Sequence, residues 1–383
     1  MKIAHTVFSV AANSGGIGPV IQGINSALSG STSIQSTTYV PSNGVDANFS
    51  SPIKQFKCWG PPQHCVSPDL LSQIADDNND LIHCHGIWTF LARTNRAWKK
   101  SGKPYLISPH GMTMPSAMKF ARWKKAIFWP LFENRNLQKA SCLHALSQFE
   151  ADSIRQLGIK TPIALIGNGV DIPDHSSSQI KNSQSGIRTL LYLGRLHPIK
   201  GIEKLLDAWN KVQTSNLGDS PWRLQIVGWG KESYVQHLKL RVADTNDGDS
   251  IEFTGPLFGD QKHLAMHQAN AFVLPSSSEA FPMALMEAWS HGLPAVATKT
   301  CNVLTNHAKA NDAALFVDDS VECIAEGIRR VVSMSDQERQ LKGNLVRSIV
   351  ADEFSWHSIS TKLSNVYRWA IDGGSPPSTL NFI

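Results

Sequence analysis

Two glutamates stand on either side of a predicted helix start, with seven residues between them, Glu279 in a loop and Glu287 inside the helix. The free N–H groups of Met283 and Ala284 lie at the positive end of the helix dipole, where they favour a phosphate. A carboxylate just outside that helix end can accept hydrogen bonds from hydroxyl groups. The combination suits a sugar nucleotide, and the alternative is a capped helix with two structural carboxylates.

The local sequence predicts how this helix is positioned. Apolar runs at 271–274 and 295–297 predict short buried strands before and after it. Pro282 suits the first helical position because its missing N–H costs nothing there, and a helix is predicted over 283–290. Strand, loop, helix and strand form the crossover unit of a parallel sheet, whose ligands bind at the carboxyl end of the strand.

Two cations follow another predicted strand, at 189–193. Arg195 and Lys200 lie in the loop between that strand and the next helix, where a guanidinium and an ammonium can together neutralise a diphosphate. The alternative is a pair of surface cations beside a turn. Gly228 occupies the equivalent position after the next predicted strand, 223–227, so it is expected at the same sheet edge.

Histidines end two predicted strands in the first half of the chain. His83 and His85 share one face of the strand in 80–86, and His110 follows the strand that starts at Tyr105. An H-x-H pattern is typical of metal sites, but no third ligand stands at a recognisable spacing, so we expect strand ends that line a cleft. His110 is either a polar cleft residue or a hydrogen-bonded turn histidine. Asp247-Gly248-Asp249 precedes a strand and is interpreted as a turn, so no metal site is expected.

The loop containing Gly15 and Gly16 follows the first predicted strand. It lacks the Walker lysine and the full G-x-G-x-x-G pattern, so neither a P-loop nor a dinucleotide site is indicated. A loop facing a phosphate or a sugar remains open.

Composition limits the class of protein. The chain has 383 residues, of which 42% are hydrophobic and 17% charged, and a net charge of +5, values typical of a globular protein with two domains. The charge favours anionic ligands, and no nucleic-acid-binding motif is present. Six cysteines without C-x-x-C spacing predict free thiols in a reducing compartment, and no apolar run is long enough to span a membrane, so a cytosolic protein is expected.

Residues 118–139 form a basic segment rich in Trp and Phe, interrupted by Pro130. Such an amphipathic segment can lie on an anionic membrane, which would make the protein peripheral on the inner face. The alternative, favoured because it is the commoner fate of an aromatic stripe, is a domain helix whose aromatic side chains enter the core.

A Ser/Asn/Gln-rich stretch at 174–186 lacks apolar periodicity and is the predicted interdomain linker. The predicted domains are therefore 1–173 and 187–355, followed by a terminal helix at 356–372 and a tail at 373–383.

The order of five motifs resembles the retaining glycosyltransferases of family 4, also called group 1, which have the GT-B fold. The motifs are the Gly15-Gly16 loop, SPHG at 108–111, NGVD at 168–171, GRLHPIKG at 194–201 and the E-x7-E pattern that starts at Glu279. The resemblance covers nearly the whole chain. It implies two Rossmann-like α/β domains with parallel sheets facing across a cleft, the C-terminal one for the nucleotide sugar and the N-terminal one for the acceptor, with the final helix crossing back.

The resemblance also implies roles for individual residues. His110, Arg195, Lys200 and Glu279 are the implied catalytic residues, with His110 near the reacting centre and Glu279 on the transferred sugar. The implied donor-binding residues are Gly15, Gly16, Arg195, Lys200, Gly228, Leu257, Glu279, Phe281, Met283, Ala284 and Glu287, with Leu257 near the base and Glu287 on the ribose. Pro282 departs from the family, in which many members have glycine, and it removes one N–H.

The implied activity is metal-independent, retaining transfer of a sugar from a nucleotide-diphosphate sugar to a hydroxyl of a glycan or lipid-linked acceptor in polysaccharide biosynthesis. UDP is favoured by family frequency alone. A sugar-nucleotide epimerase of the same architecture is one alternative, but it needs an acid–base pair that we do not find. A non-catalytic binding subunit is another, and the intact set of cations and carboxylates argues against it.

Overall fold

A computed structural model describes residues 1–11, 16–31, 33–45, 49–60, 67–173, 186–213, 221–243, 248–301, 303 and 314–382. The chain forms two compact units. The first comprises Met1–Gly169 together with Trp356–Ile383, and the second comprises Val170–Ser355. The predicted linker, apart from Gly186, lies outside the described residues.

The first unit is built on a mostly parallel sheet. Its described strands are β1 (Lys2–Val7), β2 (Gln35–Pro41), β3 (Ile53–Phe56), β4 (Leu81–His85), β5 (Tyr105–Ser108), β6 (Cys142–Ala145), β7 (Ile163–Leu165) and β14 (Leu380–Asn381). Among the described residues their order is β14-β7-β6-β5-β4-β1-β2-β3. Only β14 is antiparallel, and it places a strand where a tail was predicted. Every residue of β4, β5 and β6 is buried, as expected for strands covered on both faces.

Short helices connect these strands. They are α1 (Ile17–Ser31), α2 (Pro68–Asp76), α3 (Leu91–Lys100), α4 (Pro115–Lys119), α5 (Arg122–Phe128), α6 (Asn134–Lys139) and α7 (Gln148–Gln156), with a π-helical turn at Trp129–Glu133. The basic segment is divided at Phe120 and Ala121, and at Pro130 the second piece passes through the π-helical turn instead of a regular α-helix, because proline removes a helical hydrogen bond.

The second unit has a parallel sheet of its own. Its described strands are β8 (Arg188–Leu193), β9 (Trp222–Val227), β10 (Ile251–Gly255), β11 (Ala271–Leu274), β12 (Ala295–Thr298) and β13 (Leu315–Val317). Their order within the described ranges is β10-β9-β8-β11-β12-β13. The helices are α8 (Ile202–Gln213), α9 (Glu232–Ala243), α10 (Gly259–Gln268), α11 (Met283–Ser290), α12 (Val321–Val332) and α13 (Asp336–Phe354). The strand, loop, helix and strand predicted between 271 and 298 are confirmed.

The last helix, α14 (Trp356–Asp372), belongs to the first unit, where it packs on α1. Trp356, the first residue of α14, packs directly on two glycines. A Cβ at Gly23 of α1 would lie 2.1 Å from the Trp356 ring, and a Cβ at Gly169 would lie 2.2 Å from it. Glycine at both positions lets the indole lie directly against the main chain.

Two expectations from composition can be compared with the structure. Cys58 is disulfide-bonded, so the prediction of free thiols is wrong at that position, although Cys84, Cys142, Cys301 and Cys323 are free. In the described part of the chain, no helix is both long and apolar enough to cross a membrane.

Candidate active site

Lys200 ends a 3₁₀ turn between β8 and α8, at the carboxyl edge of the second unit's sheet. Its Nζ lies 2.6 Å from Glu279 Oε1, and the two side chains are 20% and 10% exposed. Gly201 has a φ of 69°, and a Cβ there would lie 2.1 Å from the Pro275 carbonyl oxygen. Glycine at 201 therefore lets the loop carrying Lys200 approach the loop carrying Glu279.

Glu279 is held through one of its two carboxylate oxygens. Ser276 Oγ donates to Oε1 at 2.7 Å, and the Lys200 ammonium donates to the same atom. For Oε2, no protein donor is recorded in the described ranges. That oxygen can accept a hydrogen bond from a ligand hydroxyl without breaking the contact to Lys200.

The loop beneath Glu279 is fastened from two sides. Thr298 and Thr300 both donate their hydroxyl hydrogens to the Ser276 carbonyl oxygen, at 2.5 and 2.6 Å. The Ser277 N–H donates to the Ile199 carbonyl oxygen at 2.8 Å, which ties this loop to the one carrying Lys200. Both catalytic candidates therefore sit on loops whose main chains are bonded to each other.

The start of α11 differs from the prediction in two respects. Pro282, predicted at the first helical position, is the N-cap residue, with φ −84° and ψ 72°, and Met283 is the first helical residue. These angles are those of an inverse γ-turn, and the Met283 N–H accordingly donates to the Phe281 carbonyl oxygen at 3.0 Å. The prediction that the Met283 N–H is free is therefore wrong. For the Ala284 N–H, no main-chain acceptor is recorded among the described residues.

Glu287 has a partner that the sequence analysis missed. Lys262 Nζ, on α10, lies 2.9 Å from Glu287 Oε1, and both side chains are 25% exposed. Nothing in the spacing of the two residues, which lie on different helices, indicates this pair. The predicted ribose-binding carboxylate is thus fixed by a cation before any ligand binds.

The other predicted donor residues lie around this edge in different ways. Arg195 is exposed in the β8–α8 loop, and in the described part of the chain no bond joins it to Lys200 or Glu279. The main chain at Gly228 packs directly on the main chain at Gly194. A Cβ at position 228 would lie 1.9 Å from the Gly194 carbonyl oxygen, so only glycine allows this contact. Leu257 is half-buried after β10, and Phe281 is buried against Phe354, with ring centroids 5.7 Å apart.

In the first unit, five histidines lie close together in two hydrogen-bonded chains, four of them buried and His110 half-buried. They are His5, His83, His85, His110 and His144. His110 lies just past β5 with a φ of 52°, an uncommon conformation outside glycine. Burial lowers the pKa of His110 and of His5 to about 3 and that of His144 to about 4. All five imidazoles are therefore neutral at physiological pH.

Neutrality fixes the protons in one chain of hydrogen bonds. His144 must donate Nε2–H to the Ile166 carbonyl oxygen, so its Nδ1 accepts from Ser108 Oγ, both at 2.7 Å. Ser108 Oγ then accepts from His83 Nε2–H at 2.6 Å, and His83 Nδ1 accepts from the Tyr367 hydroxyl at 2.7 Å. Tyr367, on α14, thus completes a chain in which the direction of every hydrogen bond is determined.

A second chain has two possible directions. His110 Nε2 lies 2.9 Å from His85 Nδ1, and His85 Nε2 lies 2.9 Å from His5 Nδ1. Protons can point from His110 towards His5 or the reverse, since each ring can donate through one nitrogen and accept through the other. His5 Nε2 is buried and has no hydrogen-bond partner among the described residues, so the inner end of this chain is unsatisfied there in either direction.

His5 also supplies the third imidazole that spacing did not reveal. One ring nitrogen from each of His5, His83 and His85 lies within 4.8 Å of the other two, close enough for three metal ligands. The parallel register of β1 and β4 places His5 opposite His83, although 77 residues separate them in sequence. In the structure these rings bind each other and neighbouring hydroxyls, so a metal would have to displace existing hydrogen bonds.

Glu150 holds the turn that carries His110. Its two carboxylate oxygens accept the Gly111 N–H at 2.5 Å and the Leu146 N–H at 2.8 Å. The S-x-x-E spacing at 147–150 is that of a capping box, which is half formed here: Ser147 accepts the Glu150 N–H, but the Glu150 side chain bonds the His110 turn instead of the Ser147 N–H. Burial raises the pKa of Glu150 to about 7.

The glycine loop of the first unit is described only in part. Gly15 lies outside the described residues. Gly16 is exposed just before α1, and a Cβ there would meet no atom within 4 Å, so the space beside it is open. Of the D-x-D pattern, Asp247 also lies outside the described residues, while Asp249 lies in a 3₁₀ turn before β10, as predicted.

The basic segment exposes much of its apolar surface. Phe120, Trp123, Ile127 and Leu131 are 80%, 69%, 54% and 58% exposed. The favoured prediction that the aromatic side chains enter the core is therefore wrong for Phe120 and Trp123. We call these four residues the apolar strip.

Two family models match the chain. Residues 51–173 match the model "Glycosyltransferase Family 4", and residues 174–345 match "Glycosyl transferases group 1". Among curated proteins, the chain is 22% identical to a GDP-mannose:cellobiosyl-diphosphopolyprenol alpha-mannosyltransferase of Xanthomonas oryzae pv. oryzae, with 97% of each chain covered. The corresponding protein of Xanthomonas campestris is 24% identical over 83% of this chain and 80% of its own.

Solved structures share the fold over nearly the whole chain. A sucrose-phosphate synthase from Thermosynechococcus elongatus matches with a TM-score of 0.73 and 19% identity, covering 98% of this chain and 100% of its own. The Anabaena protein HepE in complex with UDP-glucose matches with a TM-score of 0.72 and 18% identity, covering 96% and 99%. At this identity, the likeness establishes the fold alone.

Proposed function

The chain belongs to the group 1 glycosyltransferases of the GT-B fold, and from that membership we propose that it transfers a sugar, with retention, from a nucleotide-diphosphate sugar to a hydroxyl of a lipid-linked glycan in polysaccharide biosynthesis. The second unit binds the donor in this proposal, and the first unit binds the acceptor. Both matching family models describe glycosyltransferases, so the epimerase alternative has no support.

The observation that carries the proposal is the contact between Lys200 and Glu279. A half-buried ammonium held by a carboxylate is preorganised, and it can turn to a diphosphate while Ser276 keeps Glu279 in place. The open Oε2 of Glu279 then accepts a hydroxyl of the transferred sugar. Preorganised charge of this kind stabilises the leaving diphosphate without reorganisation during the reaction.

Arg195 and Lys200 supply the positive charge on the leaving group in this mechanism, so we propose that no metal ion is required. The acceptor hydroxyl attacks from the side of the leaving group, a route that retains the anomeric configuration without a carboxylate nucleophile. His110, neutral and hydrogen-bonded to His85, orients the reacting groups and does not act as a strong base.

The donor base is the finer part of the proposal. UDP was predicted from family frequency, whereas the two Xanthomonas relatives carry GDP-mannose in their names. We therefore place GDP-mannose first and UDP-glucose second.

The test is a panel of GDP-, UDP- and ADP-sugars scored by thermal shift and by slow hydrolysis, with and without EDTA. We expect one donor to stabilise the protein and to be hydrolysed at the same rate with EDTA. NMR of the transferred product should show the anomeric configuration of the donor. If no donor turns over while one still binds, the chain is a binding subunit; an inverted product would refute the retaining mechanism.

The exposed apolar strip supports peripheral contact with the inner face of the membrane. Lys119 and Arg122 flank the strip and are exposed, and each cation near an anionic surface contributes about 1 kcal/mol. Reversing both charges to glutamate should reduce sedimentation with anionic liposomes, whereas reversing Lys99 and Lys100, an exposed pair on α3, should not. Equal loss in the two variants would show that only net charge matters.

A further inference from the structure

A cavity of about 290 Å³ opens beside the histidine region of the first unit. Apolar side chains form most of its wall, including Ile17, Ile87, Met112, Phe120 and Phe128. Its size is about twice that of a cavity of ~150 Å³ that holds benzene. It can therefore take a segment of one hydrocarbon chain.

Apart from Lys124 and Lys125, the polar side chains in the wall already form hydrogen bonds within the protein. Both ring nitrogens of His85 bind other histidines, and Ser9 Oγ donates to a main-chain carbonyl at 3.2 Å. Trp88 Nε1 donates to another carbonyl at 3.4 Å, and Thr89 Oγ1 accepts a main-chain N–H at 3.4 Å. A sugar in this cavity would leave most of its hydroxyl groups unpaired, which disfavours a carbohydrate and favours an apolar group.

Trp88 is held in the wall in an uncommon conformation. Its φ is 67°, which is rare for a bulky residue, and its N–H donates to Glu133 Oε1 at 2.8 Å. Glu133 is buried, and the burial raises the pKa of its carboxyl. Strained residues of this kind concentrate at ligand sites, and this one places an aromatic ring on the cavity.

Two lysines on α5 stand at the cavity. Lys125 donates to the Ala117 carbonyl oxygen at 2.6 Å and lies 5.2 Å from the centre of the Trp88 ring. Lys124 is exposed. Phe120 belongs both to the cavity wall and to the apolar strip, so the two apolar surfaces are continuous.

We propose that this cavity binds the first isoprenoid units of a polyprenyl-diphosphate anchor, with the diphosphate on Lys124 and Lys125. A cavity of about 290 Å³ fits a single chain better than the two chains of a bilayer phospholipid, and two lysines match the charge of a diphosphate better than that of a phosphodiester. The proposal rests on the proposed function, since the ligand is the anchor of the lipid-linked acceptor.

Calorimetric titration of the whole chain carrying Arg195→Ala and Lys200→Ala with farnesyl diphosphate, without any sugar nucleotide, tests the cavity separately from transfer and from the proposed donor diphosphate site. We expect farnesyl diphosphate to bind at least about tenfold more tightly than inorganic diphosphate, the factor expected for burying two methylene groups. It should also bind more tightly than farnesol, which has no diphosphate for the two lysines. Lys124→Glu should weaken farnesyl diphosphate but not farnesol. Ile17→Trp, which fills the cavity, should weaken both.

Matched variants control for charge and for folding. Lys99→Glu with Lys100→Glu should leave binding unchanged, and so should Ile187→Trp, at an exposed position of the second unit. If Ile17→Trp lowers the melting temperature, Lys124→Glu still decides the matter. Equal binding of inorganic diphosphate would show a surface anion site only, and equal competition by didecanoyl phosphatidic acid would show a bilayer-lipid site; either result overturns the proposal. Loss of transfer with intact farnesyl diphosphate binding would refute the proposed function alone.

Discussion

The two units differ in how the candidate residues at their sheet edges carry charge. At the edge of the second unit, the key side chains are ions held in partly exposed pairs, Lys200 with Glu279 and Lys262 with Glu287. At the edge of the first unit, five imidazoles are neutral and four of them are buried, and their hydrogen bonds go to one another or to neighbouring hydroxyl and carbonyl groups. The first arrangement can exchange a carboxylate for a phosphate, whereas the second fixes ring orientation.

The difference has a physical cause. A charged side chain that water still reaches has a small desolvation cost, and it can bind an anionic ligand. Buried imidazoles avoid the cost of desolvating a charge by staying neutral, and hydrogen bonds then decide which nitrogen carries the proton. The second unit is thus suited to binding charge and the first to orienting hydroxyl groups.

The largest expected difference between the two units is the loss of stability of the first unit in acid. The five histidines have lowered pKa values, so the unfolded chain takes up protons below about pH 6.5 that the folded first unit excludes; each histidine costs about 1.4 kcal/mol of stability between pH 7.5 and 5.5. Glu150, whose raised pKa is about 7, gains about 2 kcal/mol over the same change, because its folded form binds a proton more tightly than the unfolded one. The net loss is about 5 kcal/mol, comparable to the stability of a small domain.

The check is incubation at pH 5.5 followed by a short deuterium pulse at pH 7.5. Peptides from β4 should exchange before peptides from β8. Simultaneous opening, or earlier opening of β8, would remove the contrast between the units.

Loss of the Lys200 charge should have the next largest effect. Lys200→Ala is expected to lower kcat by about 10²–10³, the usual cost of removing one preorganised group that stabilises transition-state charge. Steady-state kinetics with the identified donor measures it. Lys204→Ala, four residues later in a partly exposed pair with Asp319, should change kcat less than about fivefold. Equal effects from the two variants would contradict a special role for Lys200.

Glu150→Gln should disturb the first unit's edge without removing a histidine. Gln offers one acceptor oxygen where Glu150 offers two, so either the Gly111 or the Leu146 N–H loses its partner at a cost of about 1–3 kcal/mol. We expect kcat/KM to fall, and the ionisation near pH 7 to disappear from its pH profile. Glu326→Gln, in an exposed pair of the second unit, is the control. A profile that keeps the same inflection would show that Glu150 does not control the His110 turn.

The smallest expected effect concerns Lys262. Its pair with Glu287 is a quarter exposed, so Lys262→Ala should raise the KM for the donor by about fivefold at most and leave kcat unchanged. A large fall in kcat would instead place Lys262 among the groups that stabilise the transition state, and it would sharpen the charged character of this edge.

Much of the fold was predictable because local features determine it. Pro282 and the apolar runs on both sides gave the helix 283–290 its limits, since caps and breakers act on neighbouring residues. The helices at 321–332 and 336–354 were not predicted, although the first has a clear apolar face in Ile324, Ile328 and Val331. The second has a weak one, and tertiary packing stabilises it.

The contacts that these side chains make in the site were harder to predict from the sequence. Lys262, Glu150 and Tyr367 each complete a contact that bridges distant parts of the chain, and none belongs to a short motif. The spacing of Glu150 from Ser147 fits a capping box, yet its carboxylate accepts the Gly111 and Leu146 N–H groups instead of the Ser147 N–H. The sequence carries no information on which of two available partners a side chain will choose.

The sequence by itself determined which residue types stand at the strand ends, since alternation, glycines and prolines mark where strands stop and loops begin. It placed Lys200, Glu279 and His110 at such ends. Only the tertiary structure decided what surrounds them: the parallel register sets His5 beside His83, and burial keeps the histidines neutral. Pairing and desolvation depend on groups that are far apart along the chain, and these two effects determine whether an edge carries charge.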